Sequence, residues 1–293
     1  MGIGMTIDKI LILGVDALEH DLVEKWNLKN LKQKEYGKTH LPLTKEDGYF
    51  YTEPSTTIMW PSFITGLPPK KHGIDTIKIY PFQPLYKLYL KISTPSTEDH
   101  LTPIATQKTL KRKILDRISK TLPGREPCRN DIKTSTIFDI PDSIHLHIPV
   151  YDNNAYPKYK KRIVDAIENK AYTPIFEMMC KREFNQRTKE VFEWLEKTWT
   201  LFMQYFFTLD GVQHAFYNNP KKIAKFYLMF DQFVKKLRKK INNKTLLLII
   251  SDHGQKRGIH TPYGFYSTNI PLGLEKPKLT DFRWKIEEIL KHG

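Results

Sequence analysis

Three short stretches of the chain are apolar at nearly every position: KILILGV at 9–15, LFMQYFFTL at 201–209 and TLLLII at 245–250. An unbroken run of this length reads as a strand buried on both faces, as in a parallel sheet. Between the runs, apolar residues recur at three- and four-residue spacing, in ALEHDLVEKW and again over 158–170, 174–198 and 221–241. That period belongs to amphipathic helices. Strands alternating with helices predict an α/β fold: a mostly parallel central sheet with helices on both faces.

The segment 75–139 breaks the pattern. Pro81, Pro84, Pro95, Pro103, Pro123 and Pro127 surround a single basic helical stretch. It is expected to be an inserted cap over the sheet edge, where loops commonly determine specificity. The α/β core then comprises 1–74 and 140–293.

A length of 293 residues suits one large domain, or a core carrying an insertion. Lys and Arg number 47 against 32 Asp and Glu, a formal net charge of +15. Such a chain favours anionic partners: phosphorylated metabolites, nucleotides, nucleic acid or an acidic membrane surface. Its densest basic runs, 108–120 and 235–240, read as solvated helix faces. Cys128 and Cys180 lie far apart and outside any CxxC pattern, which argues against a disulfide framework or a cysteine-bound zinc and fits a reducing, cytoplasmic compartment. No apolar run approaches the roughly 18 to 20 residues of a membrane span. The first run is also too short for a signal peptide, so a soluble, unprocessed protein without integral membrane association is expected. MGIGMT fits an N-myristoylation pattern, but strand-forming sequence begins almost at once.

Each buried run is followed by an aspartate: Asp16, Asp210 and Asp252. In open α/β sheets ligands bind outside the carboxyl ends of the strands, which is where all three fall. Any one of them could simply cap the next helix. Their neighbours make the difference. DGVQH places His214 one helical turn beyond Asp210, on the same side. SDHG sets His253 beside Asp252, and His260 follows after Gly254 and Gly258, which allow the loop to fold back. Three carboxylates and three imidazoles suit zinc, with manganese or magnesium as alternatives. Two divalent ions against three carboxylates leave surplus positive charge for an ionised hydroxyl and a phosphate oxygen. Other histidines, His20, His40, His100 and His292, read as surface or packing residues. His145 and His147 would share one strand face; no neighbouring carboxylate accompanies them in the sequence, so they read as structural.

A hydroxyl nucleophile is offered by PSTTIMWPSFITGLPPKKHG, which contains Ser55, Thr56 and Thr57. Together with GVDALEHDLVEKW, FFTLDGVQHAFY and SDHGQKRGIHTPYGFYS, this stretch resembles the alkaline phosphatase superfamily, most closely its type I phosphodiesterase/nucleotide pyrophosphatase branch. The four pieces cover about a quarter of the chain. The resemblance implies that Asp210, His214 and His260 hold one metal, that Asp16, Asp252 and His253 hold the other, and that Thr56 is the nucleophile bridging towards the second. It also implies that His72-Gly73 shapes a loop. The expected activity is hydrolysis of a phosphodiester or nucleotide pyrophosphate through a phospho-threonine, on a small phosphorylated substrate such as a nucleotide, with nucleic acid as a further candidate substrate.

Two departures from the family pattern stand out. Ile58 occupies the place of a proline, and Pro61 appears later. Because proline disfavours helical geometry at the residue before it and suits a helix's first turn, the helix is expected to start late, which keeps Ser55 and Thr57 as alternative nucleophiles. No residue matches the family's asparagine or arginine on the substrate phosphate, so monoester against diester preference stays open. A phosphomonoesterase, phosphonate hydrolase or phosphomutase shares the same metal set. A sulfatase is disfavoured, since neither cysteine sits in a C/S-x-P-x-R setting. From another class, a basic nucleic-acid-binding protein is the rival reading, although no recognisable binding module is present.

Overall fold

The computed structural model describes residues 6–80, 87, 124–153, 155 and 174–292. The three apolar runs form the centre of the main sheet: β1 (Lys9–Val15), β4 (Leu201–Phe206) and β5 (Thr245–Ile250). β1 lies between the other two and runs parallel to both, Ile10 pairing with Leu201 on one side and Leu246 on the other. β3 (Ser143–Leu146) extends the sheet parallel to β4. On the far side β8 (Tyr263–Thr268) pairs antiparallel with both β5 and β2 (Glu35–His40). The six-stranded order is β2-β8-β5-β1-β4-β3, a mostly parallel sheet in which β8 alone runs in the opposite direction. A separate hairpin, β6 (Gly254–Lys256) with β7 (Ile259–Thr261), follows β5. Its two-residue turn, Arg257-Gly258, has positive φ at both positions (52° and 81°), as a tight hairpin turn demands.

Successive residues of a strand face opposite sides of the sheet, and β4 shows what covers each. Tyr205 meets Trp60 of α3 (Thr56–Thr65), while Phe206 meets Phe184 of α5 (Pro174–Leu195) and Phe230 of α7 (Pro220–Arg238). Helices therefore cover both faces. α8 (Asp281–His292) packs beside α3, Phe282 against Phe63. α6 (Thr208–Phe216) begins two residues beyond β4, so Asp210 lies in its first turn rather than in the strand. The solvated reading of the 235–240 run holds: Lys235, Lys236, Arg238, Lys239 and Lys240 are all exposed.

The start of α3 corrects an expectation. The helix begins at Thr56 and continues through Pro61. An interior proline removes one backbone hydrogen bond and strains the preceding turn, at about 3 kcal/mol or more. Ile58 through Thr65 are all buried, and burying each large apolar side chain yields roughly 1.5–3 kcal/mol. Burial of Ile58, Met59, Trp60, Phe63 and Ile64 outweighs the defect.

Most of 75–139 lies outside the described residues, as do its basic stretch and the helical pattern at 158–170. The two flanks of the segment meet in an antiparallel bridge, Ile79 N–H to Arg125 O at 2.9 Å and the reverse at 3.0 Å.

Candidate functional site

All six metal-ligand candidates converge at the carboxyl ends of the three central strands. They form two groups, Asp210 with His214 and His260, and Asp16 with Asp252 and His253; within each, the donor atoms lie within 4.8 Å of one another. In the first, Asp210 Oδ1 is 3.2 Å from His214 Nε2 and 3.5 Å from His260 Nε2. In the second, His253 Nε2 is 3.5 Å from Asp16 Oδ1 and 3.4 Å from Asp252 Oδ2. The groups adjoin, since the rings of His253 and His260 stack with centroids 3.9 Å apart.

Local folding explains the convergence. Asp16 follows β1 directly, and its N–H donates to Phe206 O at 3.0 Å, holding the β1 and β4 exits together. Asp210 and His214 are four residues apart on α6. The β6–β7 hairpin turns back to set His260 against His253.

The chemistry of the donors fits cations. Asp16 Oδ1, Asp210 Oδ1 and both carboxylate oxygens of Asp252 are buried without a hydrogen-bond partner among the described residues. Leaving such oxygens unpaired is costly unless something positive satisfies them. The imidazoles are oriented to match: His260 Nδ1 is 2.8 Å from Pro54 O and His253 Nδ1 is 3.2 Å from Gly254 O. A carbonyl only accepts, so each Nδ1 carries a proton, which leaves Nε2, the atom facing the carboxylates, as the one that can bind a cation.

Electrostatics show the same strain. Burial, then the charges of Asp252 and Asp210, pushes the Asp16 carboxyl well above its usual range. Burial and the charge of Asp210 raise Asp252 to about 7. Burial and His260 push His253 down to about 4. Burial works against the charged forms of Asp210 and His260 as well, but attraction prevails: His214 first and then His260 hold the Asp210 carboxyl well below its usual range, and Asp210 raises His260 to about 9.

Thr56 stands at the first turn of α3, its hydroxyl donating to Asp16 Oδ2 at 3.4 Å and lying 3.3 Å from His253 Nε2. Ser55 is the residue capping that helix. Among the described residues, neither the Ser55 nor the Thr57 side chain bonds to any of the six candidates. His72 is remote in role: Ile74 N–H donates to its Nδ1 at 3.1 Å, so Nε2 carries the proton and donates to Ser62 Oγ at 2.9 Å. Burial lowers its pKa to about 3, and it remains a neutral brace under α3.

His145 and His147 do not share a strand face, because β3 ends at Leu146 and His147 takes a positive φ of 67°. Each also has the carboxylate that the sequence did not reveal, Asp152 at 2.8 Å and Glu190 at 3.0 Å. These separate pairs keep both histidines outside the metal groups.

Several neighbours of the site escaped the sequence reading. Tyr205 donates to Asp16 Oδ2 at 2.5 Å, Ser251 Oγ donates to His253 O at 2.5 Å, and Glu53 Oε2 accepts from His260 N–H at 3.1 Å. Ser251 had a signal, adjacency to Asp252; Tyr205, inside a mostly apolar run, had none.

Residues 10–263 match the sequence profile of the family described as type I phosphodiesterase / nucleotide pyrophosphatase. No curated protein matches the chain. Among solved structures, murine ectonucleotide pyrophosphatase/phosphodiesterase 5 is similar at 14% identity and a TM-score of 0.40, over 84% of this chain and 57% of the murine one. Phosphonoacetate hydrolase from Sinorhizobium meliloti gives 13% identity and 0.47, over 85% of this chain and 57% of its own. Alkaline phosphatase from the Antarctic bacterium TAB5 gives 12% and 0.47, over 99% of both. The chain thus spans little more than half the length of the first two.

Proposed function

Because the chain belongs to the type I phosphodiesterase / nucleotide pyrophosphatase family, we propose that it is a metal-dependent phosphoester hydrolase acting on a phosphodiester or nucleotide pyrophosphate, with Thr56 as nucleophile. One observation carries this reading: two adjoining groups of carboxylates and imidazoles, with orphaned buried carboxylate oxygens, and the Thr56 hydroxyl 3.4 Å from one of them.

Asp210, His214 and His260 would hold one divalent ion, and Asp16, Asp252 and His253 the other. Zinc suits this mixed oxygen and nitrogen set, with manganese or magnesium as alternatives. Bound there, paired ions lower the pKa of a nearby hydroxyl and neutralise phosphate oxygens.

The chain's own residues supply the rest. Asp16 and His253 orient the Thr56 oxygen. The positive end of the α3 dipole lies at the same spot and favours an approaching anion. Thr56 Oγ1, its proton released to solvent, attacks phosphorus; the ester or anhydride oxygen departs with its electron pair and takes up a proton, and a phospho-threonine still esterified to the rest of the substrate remains until water releases it. His214 and His260 are the more open side of the site, with side chains 28% and 18% exposed against 0–1% for the Asp16 group. We read that side as the substrate's entrance, and the segment 75–139 as the cap that sets specificity.

The two cysteines are free, in keeping with a reducing cytoplasmic setting, and no helix among the described residues is long and apolar enough to cross a membrane. The test is metal content together with hydrolysis of chromogenic phosphodiester, phosphomonoester and phosphonate substrates by wild type and Thr56→Ala. Turnover by metal-free protein, indifferent to the substitution, contradicts the reading. Absence of turnover with tight, salt-sensitive binding of nucleic acid supports the non-catalytic rival.

A further inference from the structure

We infer that Glu19, a carboxylate in neither ligand group, is a positioning residue that fixes the two groups relative to each other, with Tyr227 and Gln213 completing the linkage. The inference rests on the reading of those groups as a metal centre.

Glu19 lies three residues past Asp16 and is fully buried, as is Tyr227; Gln213 is 2% exposed. Its carboxylate reaches the β6–β7 hairpin. Oε2 accepts from the Thr261 hydroxyl at 3.2 Å, and Oε1 accepts from the Tyr263 hydroxyl and from Asp21 N–H, each at 3.0 Å. Thr261 is the neighbour of His260. The neighbour of His253 is as close: a Cβ added to Gly254 would come within 2.2 Å of Glu19 Oε2. One carboxylate therefore packs against the residue beside a ligand of each group.

The backbone of Glu19 reaches the third ligand-bearing element. Its N–H donates to the Tyr227 hydroxyl at 2.9 Å, Tyr227 donates to Gln213 Oε1 at 3.2 Å, and Gln213 Nε2 donates to Ala17 O at 2.7 Å. The donors and acceptors are consistent around this path: the single Tyr227 proton goes to Gln213, leaving its oxygen to accept from Glu19. Ala17 and Glu19 are joined through Leu18, so the path closes into a ring. Gln213 precedes His214 on α6, and Ala17 follows Asp16.

Ala17 adds an independent sign. Its φ is +56°, a left-handed conformation that side chains with a Cβ disfavour. The bond from Gln213 holds its carbonyl there, and the backbone turn aims Asp16. Asp16, Asp210/His214 and His253/His260 reside on three separate chain segments, and the ring together with the Glu19 carboxylate ties all three. Losing it frees these segments to shift, which disturbs both the spacing between the groups and the aim of the ligands within them.

The test uses full-length protein, stripped of metal and titrated calorimetrically with zinc, for wild type, Glu19→Ala, Glu19→Gln and Tyr227→Phe. Phe230→Leu, in the core, serves as a control for lost stability alone. Outer partners of metal ligands typically alter affinity by about ten- to a hundredfold. Glu19→Ala is expected to weaken at least one of two zinc-binding steps by about tenfold or more, Tyr227→Phe to weaken it less, and Glu19→Gln, which retains an acceptor at Oε1, to restore part of the loss. Phe230→Leu should lower the melting temperature without moving zinc affinity. Wild-type zinc affinity in folded Glu19→Ala overturns the positioning role; if that variant does not fold, wild-type affinity in Tyr227→Phe overturns it. Wild-type protein that binds no divalent ion overturns the metal centre itself, a result distinguishable from both.

Discussion

The hydroxyl of Tyr205 donates to Oδ2 of Asp16 across 2.5 Å, from one central strand to the exit of the next. The Thr56 hydroxyl shares that oxygen, while Oδ1 stays unpaired. Tyr205 thus fixes which way the carboxylate turns. Tyr205→Phe keeps the ring that packs on Trp60 and removes this bond. We expect zinc affinity of the Asp16 group to fall by about tenfold, with stability changed by roughly 1 kcal/mol. Calorimetric titration and thermal melts check the two separately.

Only one of the three hydroxyls at the start of α3 contacts the ligand groups. Thr56→Ala is expected to lower turnover on the order of a thousandfold or more, as removal of a nucleophile does. Ser55→Ala and Thr57→Ala should retain turnover of the wild-type order. Steady-state kinetics on a chromogenic phosphodiester separate the three, and a Thr57→Ala enzyme as inactive as Thr56→Ala would contradict the assignment.

Metal-free protein should lose stability as pH rises from about 6.5 to 9. An ordinary carboxyl titrates near 4 and an ordinary imidazole near 6.5, whereas Asp252 reaches about 7 and His260 about 9 in the fold. Burial also raises Glu183 to about 7. In each case the folded state keeps a proton after the unfolded chain has released its own, so the contributions of the two carboxyls fade from about pH 4 to 7 and that of His260 from about 6.5 to 9. His253, lowered to about 4, acts oppositely, but its effect is complete once pH exceeds about 6.5. Bound metal displaces those protons, so metal affinity and metal-induced stabilisation should both increase over the same window. Melts at a series of pH values, with and without zinc, give the sign directly.

Gly264 is a point of close approach between β8 and the site. A Cβ there would lie 2.2 Å from the backbone oxygen of Ser251 and 2.6 Å from Thr39 Oγ1. Backbone cannot swing aside as a flexible side chain can. Gly264→Ala should destabilise the fold by about 1–3 kcal/mol and, by displacing Ser251, weaken metal binding at Asp252. Denaturant titration and zinc calorimetry test the pair of effects.

How legible these features were in the sequence depended on where the driving force lay. β1, β4 and β5 were visible because a strand covered on both faces needs apolar residues throughout, and the aspartates that end such runs stand out. The six ligand candidates were visible because DxxxH and SDHG spacing is local, and because strand ends in a parallel sheet share one edge. β2 was not legible: as an edge strand its sequence, EYGKTH, is partly exposed and polar. β8 was hidden by its glycine and hydroxyl residues, and by lying in the stretch that supplies His260. Pro61 misled because local backbone preference gave way to burial of the whole helix. Glu19, in helix-like ALEHDL, resembled a surface residue; Tyr227, Thr261 and Tyr263, which bond to it, lie more than two hundred residues away, and no local pattern announces them.

The account's central claim is that Thr56 attacks phosphorus within this constellation. Acid quenching of metal-loaded protein during turnover of a phosphodiester, followed by proteolysis and mass spectrometry, tests it most directly. The predicted result is a covalent adduct on Thr56, the phosphoryl group with the diester's remaining ester substituent, absent from Thr56→Ala and from metal-free protein. An adduct on Ser55 or Thr57, or turnover through no covalent adduct at all, would contradict the claim.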